Sequence, residues 1–209
     1  MSEYPDEFDT HGSSWKHSKL LDQCIGNKAK IKLLILDIDG VLTDGTKVYT
    51  QEHQPVYKRF RCKDFTAIKR FIAAGVQVIM LSGDNWNSQM AAKRNIPFYC
   101  TRGSDLSLDK SVYLSHLESQ YNVKRENMAF VGDDYFDLSM FKTLFWTFAP
   151  SDSPRIIRQN CLYLLKSKGG QGVVQELYDF LVGKGIVIDA TEEEVAELDK
   201  AEASSAAMK

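Results

Sequence analysis

The stretch "LLILDIDGVLTDG" at residues 33–45 decides how the rest of the chain is interpreted. It begins with four aliphatic residues and then carries two carboxylates, Asp37 and Asp39, one residue apart. A run this short and this apolar is typical of a buried central strand in a parallel sheet. Because a buried carboxylate without a partner is unfavourable, we expect a cation at the end of this strand.

The composition is that of an ordinary globular protein. The chain has 209 residues, of which 44% are hydrophobic and 26% are charged, and this suits one domain with extensions. Its 26 basic and 28 acidic residues give a formal charge of −2, which argues against nucleic acid or a membrane surface as a partner. The acidic N-terminus does not resemble a signal peptide, and no apolar run approaches the roughly 20 residues that span a bilayer. We therefore expect a soluble, cytoplasmic protein.

Predicted strands and helices alternate along the chain. A polar turn between β-branched and aromatic residues predicts a β-hairpin over residues 47–61. Further buried strands are predicted at 76–84, 97–101, 127–137 and 145–150, and helices at 63–75, 87–95, 107–122, 137–144 and 173–185. This order indicates an α/β fold with three α/β/α layers, a Rossmann-like parallel sheet, the hairpin as an insertion and no separate cap domain.

The ends of the chain differ from its middle in composition. Residues 1–14 are polar without hydrophobic periodicity and are predicted to form a flexible arm, and a helix is predicted over 15–26. The globular domain is expected to cover residues 15–185. Residues 186–209 are charged and rich in alanine and serine, which favours a disordered tail or a frayed helix.

Carboxylates follow the predicted strands in a way that suggests a metal site. Asp37, Asp39 and Asp133 all lie at strand ends, and the carboxyl ends of parallel strands meet at the edge where ligands bind. Side-chain or backbone oxygens from these three residues suit Mg²⁺, which prefers hard oxygen ligands and retains several waters. A phosphate group would supply the remaining negative ligand.

The same edge carries the residues that phosphoryl transfer requires. A carboxylate can attack phosphorus and form an aspartyl-phosphate, and Asp37 is the natural nucleophile. Asp39 points the same way in an extended chain and is the candidate general acid and base. Ser82, the backbone N–H of Gly83 and the ammonium of Lys110 are candidates for binding the phosphate.

Two further segments have alternative interpretations. Asp134 and Asp137 either orient the waters of the metal or cap the following helix. The glycine-rich segment 169–172, "GGQG", lacks the context of a P-loop and is either a flexible lid or the lead-in to a helix.

Four motifs in order, "DIDGVLTDG", "LSG", a lysine that opens a helix and "GDDYFD", resemble those of the haloacid dehalogenase superfamily. Residues 28–181 are similar to its capless branch, which contains 3-deoxy-D-manno-octulosonate 8-phosphate phosphatase and sialic-acid-type 9-phosphate phosphatases. The resemblance implies a Rossmann-like fold, Mg²⁺, the roles given above to Asp37 and Asp39, and a homotetramer whose hairpins pack together. It also implies that a C-terminal segment, here about 169–172, closes the active site of a neighbouring subunit.

The chain departs from that branch at two positions. Asp84 stands where family members commonly have arginine, and we expect it to present a repulsive charge to an acidic sugar. Phe65 stands where glycine is common, and we expect it to crowd the backbone. The sequence therefore predicts a phosphatase for a small phosphorylated sugar acid, with two alternatives: a phosphatase for another sugar phosphate or a nucleotide, and a non-catalytic oligomeric module.

Overall fold

A parallel sheet of six strands forms the centre of the molecule. This computed structural model describes residues 30–102 and 109–207. The strands of the described chain are β1 (Leu33–Leu36), β2 (Val48–Tyr49), β3 (Pro55–Tyr57), β4 (Gln77–Ser82), β5 (Phe98–Cys100), β6 (Met128–Val131), β7 (Trp146–Ala149) and β8 (Tyr163–Leu164). All neighbours in the order β5-β4-β1-β6-β7-β8 are parallel. The predicted α/β fold is confirmed.

Helices cover both faces of this sheet. They are α1 (Cys62–Ala73), α2 (Ser88–Lys93), α3 (Leu114–Tyr121), α4 (Leu138–Thr143), α5 (Arg155–Asn160), α6 (Val173–Gly183) and α7 (Glu192–Ala207). Successive β1 side chains alternate between the two faces. Leu34 and Leu36 pack with residues of α1 and α6, whereas Leu33 and Ile35 pack with residues of α3, α4 and α5. No helix of the described residues is long and apolar enough to cross a membrane.

The strand order determines where a ligand can bind. The chain leaves β1 to build β4 and β5 on one side, and then returns to build β6, β7 and β8 on the other. Between β1 and β6 the direction of winding therefore reverses, and such a reversal opens a crevice beyond the carboxyl ends of the strands. Asp37 follows β1 and Asp133 follows β6, so both lie at this crevice.

The predicted hairpin is present as a separate pair of antiparallel strands, β2 and β3. Its turn includes His53 with a positive φ of 56°. The apolar side chains of this hairpin are exposed within a single chain, namely Val48, Tyr49, Val56 and Tyr57.

The segment "GGQG" is held against the loop after β1. Asp64 of α1 accepts hydrogen bonds from the backbone N–H groups of Val174 and Gln175 at 2.8 and 3.0 Å, which caps the first turn of α6. The N–H of Gly170 donates to the carbonyl of Val41 at 2.9 Å. A Cβ at Gly169 would overlap the carbonyl oxygen of Gly40, so only glycine allows this close approach.

Some segments were not predicted, and others lie outside the described residues. α5 and β8, at 155–164, were not predicted, because this stretch is short and polar at its start. Of the two alternatives for the tail, a helix is present over Glu192–Ala207, and Asp199 and Glu202 of α7 form ion pairs with Lys69 of α1. The predicted arm at 1–14 and the helix at 15–26 lie outside the described residues.

Replacement of Asp64 tests how α6 is anchored. Burial raises the pKa of Asp64 against the opposing hydrogen bonds from α6, so the hydrogen bonds rather than the charge should stabilise the contact. We expect Asp64→Ala to lower the free energy of unfolding by about 1–3 kcal/mol, because two helix N–H groups lose their acceptor. Asp64→Asn retains an acceptor oxygen and should cost less. Equal losses for the two variants in urea denaturation would contradict the capping role.

Candidate active site

A buried lysine joins two aspartates at the carboxyl edge of the sheet. Lys110 Nζ lies 2.9 Å from Asp37 Oδ2 and 2.5 Å from Asp137 Oδ1. The lysine side chain is only 4% exposed. Asp109 caps the one-turn 3₁₀ helix that carries Lys110, through a hydrogen bond from the N–H of Ser111. The structure thus brings the predicted lysine into direct contact with the predicted nucleophile.

Asp137 connects Lys110 to the loop after β6. Its Oδ1 binds Lys110, and its Oδ2 accepts the backbone N–H groups of Asp133 and Asp134 at 2.8 and 3.1 Å. Asp134 in turn caps the following 3₁₀ helix through the N–H of Tyr135 at 2.7 Å. Both carboxylates therefore form the capping arrangement that the sequence offered as one alternative. Since Asp137 is fully buried and both its oxygens are bound, it orients other residues.

Asp133 has the environment of a metal ligand. Among the described residues, Asp133 Oδ1 is buried and accepts no hydrogen bond. One carboxylate oxygen each of Asp37, Asp133 and Asp137 lie within 4.8 Å of one another. A Cβ at Gly40 would overlap Asp133 Oδ2, and Gly40 has a φ of +86°. An unpartnered carboxylate oxygen aimed into an acidic cluster fits a hard divalent cation.

The protonation of this cluster depends on that cation. Burial, with a contribution from the charge of Asp137, raises the pKa of Asp37 to about 7, although Lys110 opposes the shift. Burial and the neighbouring carboxylates raise the pKa of Asp133 to about 8. A divalent cation would reverse both effects, because it stabilises the charged carboxylates.

Asp39 faces a different partner. Its two carboxylate oxygens lie 2.7 and 2.8 Å from Lys58 Nζ, and the side-chain amide of Asn87 donates to Oδ2 at 3.2 Å. The side chain of Lys58 is 1% exposed. Lys58 and Asn87 thus occupy the Asp39 carboxylate, which is not part of the acidic group of Asp37, Asp133 and Asp137 found among the described residues, so its backbone carbonyl remains as the donor that the sequence offered to a metal.

Ser82 and Gly83 form the neighbouring wall. Ser82 ends β4, and its Oγ accepts hydrogen bonds from the N–H of Asp84 and the amide of Asn87, both at 3.2 Å. Both contacts use Ser82 as the acceptor, so its hydroxyl hydrogen can donate to a ligand. Gly83 lines the same cavity with its backbone.

The expectation for Asp84 is wrong, because two lysines neutralise its charge. Asp84 Oδ2 lies 2.7 Å from Lys47 Nζ and 2.9 Å from Lys58 Nζ. These contacts hold the pKa of Asp84 well below its usual range although burial opposes them. Asp84 is therefore a link in an ion-pair network that includes Asp39, and not a free repulsive charge.

The strand register of the hairpin places two lysines of this network opposite each other. Val48 pairs with Tyr57, and the same register puts Lys47 opposite Lys58. Like charges directly opposite each other are unfavourable, so the pattern indicates an anion between them. Sequence reasoning did not use this signal, and it gave no role to Asn87 or Lys58.

Phe65 and the segment 169–172 both lie outside the lining of the cavity. Phe65 is a buried residue of α1 that packs against Phe60 and beneath the guanidinium of Arg94. Residues 169–172 contact the loop at 40–44 of their own chain and do not line the cavity. In the single chain they lead into α6, as one of the two interpretations of the sequence has it.

These groups surround an open cavity of about 220 Å³. Thirteen residues line it: Asp37, Asp39, Gly45, Lys47, Ser82, Gly83, Asp84, Thr101, Arg102, Lys110, Asp133, Asp134 and Phe136. Arg102, which sequence reasoning missed, lies at its mouth after β5. All the predicted site residues except the buried Asp137 reach this cavity.

Comparison with known proteins identifies the family. A model of the haloacid dehalogenase-like hydrolases matches residues 99–177. The chain is 32% identical over 173 residues to 3-deoxy-D-manno-octulosonate 8-phosphate phosphatase KdsC of Haemophilus influenzae, and the match covers 78% of this chain and 90% of the relative. The chain belongs to the haloacid dehalogenase-like hydrolases. Within that family it is a phosphatase.

Solved structures of this hydrolase family share the fold. The cobalt-bound phosphatase from Haemophilus influenzae superposes with a TM-score of 0.68 at 31% identity, over 75% of this chain and 90% of that one. The 3-deoxy-D-manno-octulosonate 8-phosphate phosphatase of Moraxella catarrhalis, solved with magnesium, phosphate and the sugar acid, shares the fold at 24% identity. Its TM-score is 0.67, over 77% of this chain and 91% of that chain. Phosphatases of this family use a divalent metal, which agrees with the acidic cluster described above.

Protons and Mg²⁺ should compete for the buried carboxylates, and the free energy of unfolding should report this competition. Without metal, the folded protein retains protons on Asp37 and Asp133 that the unfolded chain, with pKa values near 3.8, releases. Stability should therefore fall as pH rises from about 4 to about 8. Mg²⁺ should stabilise the protein more at pH 8 than at pH 5 in urea denaturation, with EDTA as the reference.

Asp133→Asn is the control for this measurement, because it should remove most of the increment that Mg²⁺ adds at pH 8. An increment of the same size at both pH values in the unmodified protein would show that the metal does not bind at the buried carboxylates.

Proposed function

We propose that the protein is a Mg²⁺-dependent phosphomonoesterase that hydrolyses a small phosphorylated sugar acid through an aspartyl-phosphate on Asp37. The observation that carries the proposal is the pairing of Asp37 with buried Lys110 beside Asp133 Oδ1, which is buried and has no hydrogen-bond partner among the described residues. A nucleophilic carboxylate, a fixed cation and a metal site at one edge of a sheet are the parts that phosphoryl transfer requires.

The metal would be held by the carboxylates of Asp37 and Asp133 and by the backbone carbonyl of Asp39. Asp134 and Asp137 would orient its water ligands and its carboxylate ligands. When bound, Mg²⁺ supplies positive charge that reduces the repulsion between the Asp37 carboxylate and the phosphate. The cobalt-bound relative at 31% identity supports a divalent metal, and the oxygen-only set of donors favours Mg²⁺.

Asp37 would carry the covalent step. The N–H of Ile38 donates to Asp37 Oδ1 at 2.7 Å, while Lys110 binds Oδ2, so the carboxylate is fixed in one orientation. One of its oxygens bonds to phosphorus as the bond from phosphorus to the ester oxygen breaks. Asp39 gives a proton to the departing oxygen. Asp39 then takes a proton from water, which attacks phosphorus, releases inorganic phosphate and restores Asp37.

Three groups would bind the transferring phosphoryl group. The Ser82 hydroxyl and the Gly83 N–H are hydrogen-bond donors, and Lys110 is a compact positive charge. Lys58 and Asn87 hold the Asp39 carboxylate in place, because an acid that acts at one atom must be fixed relative to it. The substrate class is supported by the relative at 32% identity, which acts on 3-deoxy-D-manno-octulosonate 8-phosphate.

The experiment is phosphate release from a panel of phosphorylated sugars, keto-sugar acids and nucleotides, with Mg²⁺ and with EDTA. We expect metal-dependent release, highest for keto-sugar acids with a terminal phosphate. Asp37→Asn should reduce turnover by roughly a thousandfold or more with the fold preserved, since it removes the nucleophile. Asp179→Asn, at an exposed position of α6, is the matched control. Turnover by Asp37→Asn, or release confined to nucleotides, would overturn the proposal.

We also propose a homotetramer in which the hairpins pack together. Four apolar hairpin side chains are exposed in the single chain, and such a patch on a narrow ribbon is typical of an interface. Light scattering should give four copies for the intact chain and a smaller species for the double variant Tyr49→Ser, Val56→Ser. A monomeric intact chain would contradict this.

A further inference from the structure

Arg102 is a cation at the mouth of the cavity. It follows β5 at the same edge as the other site residues, and it is exposed while it lines the cavity. Its guanidinium lies 5.8 Å from the ring centroid of Phe136, an aromatic residue that is itself 46% exposed. An arginine beside an aromatic ring keeps its hydrogen-bonding fork available to a planar anion.

Among the residues that the structure describes, the other cations around the cavity form ion pairs with carboxylates that do not pair with Arg102. Three of the lining residues are cations, and two of them are paired: Lys110 with Asp37 and Asp137, and Lys47 with Asp84. Within residues 30–102 and 109–207, no carboxylate is recorded within 4.0 Å of the Arg102 guanidinium. Within the described part of the chain, Arg102 is therefore a cation that an anionic ligand can bind without breaking an ion pair.

The position of Arg102 separates it from the phosphate chemistry but keeps it within reach of the same ligand. A Cβ at Gly83 would lie 2.9 Å from Arg102 Nε, so the arginine side chain runs alongside the backbone proposed to bind the phosphate. Lys110 is buried at the base of the cavity, whereas Arg102 is exposed at its rim. A ligand whose phosphate reaches Lys110 would pass Arg102 with the rest of its structure.

We propose that Arg102 binds a second anionic group of the substrate, a carboxylate, and thereby makes the enzyme select phosphate esters that carry one. This inference rests on the proposed function. The guanidinium matches a carboxylate through two parallel hydrogen bonds. Asp84 does not oppose the binding, because Lys47 and Lys58 already neutralise it. Arg102 would thus supply the cation that is missing at position 84.

The test compares two substrates that differ in this second charge. For Arg102→Gln, kcat/KM should fall about 10- to 100-fold on 3-deoxy-D-manno-octulosonate 8-phosphate, as expected for the loss of a charge-assisted hydrogen bond, and stay within about twofold on p-nitrophenyl phosphate. Arg102→Lys should recover part of the loss, since it keeps the charge. Arg158→Gln, at an exposed position that does not line the cavity, should behave as the unmodified enzyme on both substrates.

Two kinetic outcomes would overturn the proposal. An equal loss on both substrates would show that Arg102 binds the phosphate itself. No loss on either substrate would show that it binds neither group.

Binding of the phosphate-free sugar acid separates this inference from the proposed function. Calorimetric titration with 3-deoxy-D-manno-octulosonate, in the presence of Mg²⁺ and inorganic phosphate, requires no turnover. The dissociation constant should rise about 10- to 100-fold in Arg102→Gln. If the unmodified protein binds the sugar acid through Arg102 but hydrolyses no ester, the proposed function fails and the inference stands. Equal binding by both proteins, or none by the unmodified protein, would overturn the inference.

Discussion

The contact of Lys110 with Asp37 and Asp137 is the interaction on which the site depends. Three charges are almost fully removed from water at the end of a parallel sheet, and such a group is stable only when its members satisfy one another. Asp137 connects the group to the loop after β6 through two backbone N–H groups. The ion pair therefore fixes the loops after β1 and β6 relative to each other, and with them the carboxylates that suit a metal. It also leaves an excess of negative charge, which explains why the cluster suits a divalent cation.

A second ion-pair network, formed by Lys47, Lys58, Asp84 and Asp39, lies on the hairpin side of the cavity. Lys47 and Lys58 reach from the hairpin to Asp84 and Asp39, so the hairpin is part of the site within one chain as well as a candidate interface between chains. The charge of Asp84 is balanced where the family commonly has an arginine. A substrate anion then requires a cation from elsewhere, and the proposed cation is Arg102, which lines the cavity and has no carboxylate within 4.0 Å among the described residues.

The start of α6 packs closely against the loop that follows Asp37. Asp64 anchors the start of α6, and the glycines before α6 approach the backbone of residues 40–44 more closely than any side chain would allow. The glycine-rich segment, for which the sequence offers a lid or a helix lead-in, thus packs against the loop between Asp37 and Asp44 in the single chain. A rigid loop suits an attack that depends on the placement of one carboxylate oxygen.

The sequence by itself determined the alternation of strands and helices, the order of the motifs and the residue types at the strand ends. These features are local: a buried strand, a helix stop or an acidic strand end is visible in a few consecutive residues. Asp37, Asp39, Ser82, Lys110 and Asp133 could therefore be selected in advance as candidates. The short polar stretch that forms α5 and β8 could not, because its contacts come from the rest of the sheet.

Only the tertiary structure decided the partner of each charge. The side of the sheet on which the hairpin lies depends on packing between segments that are distant in the sequence. The pairing of Asp84 with Lys47 and Lys58 depends on the same packing. The same holds for Asp137, whose partner Lys110 is 27 residues away, and for Arg102, whose exposure at the rim depends on where β5 lies in the sheet. Charge in a sequence is a property of single residues, but the energy of a buried charge depends on neighbours that the fold brings together.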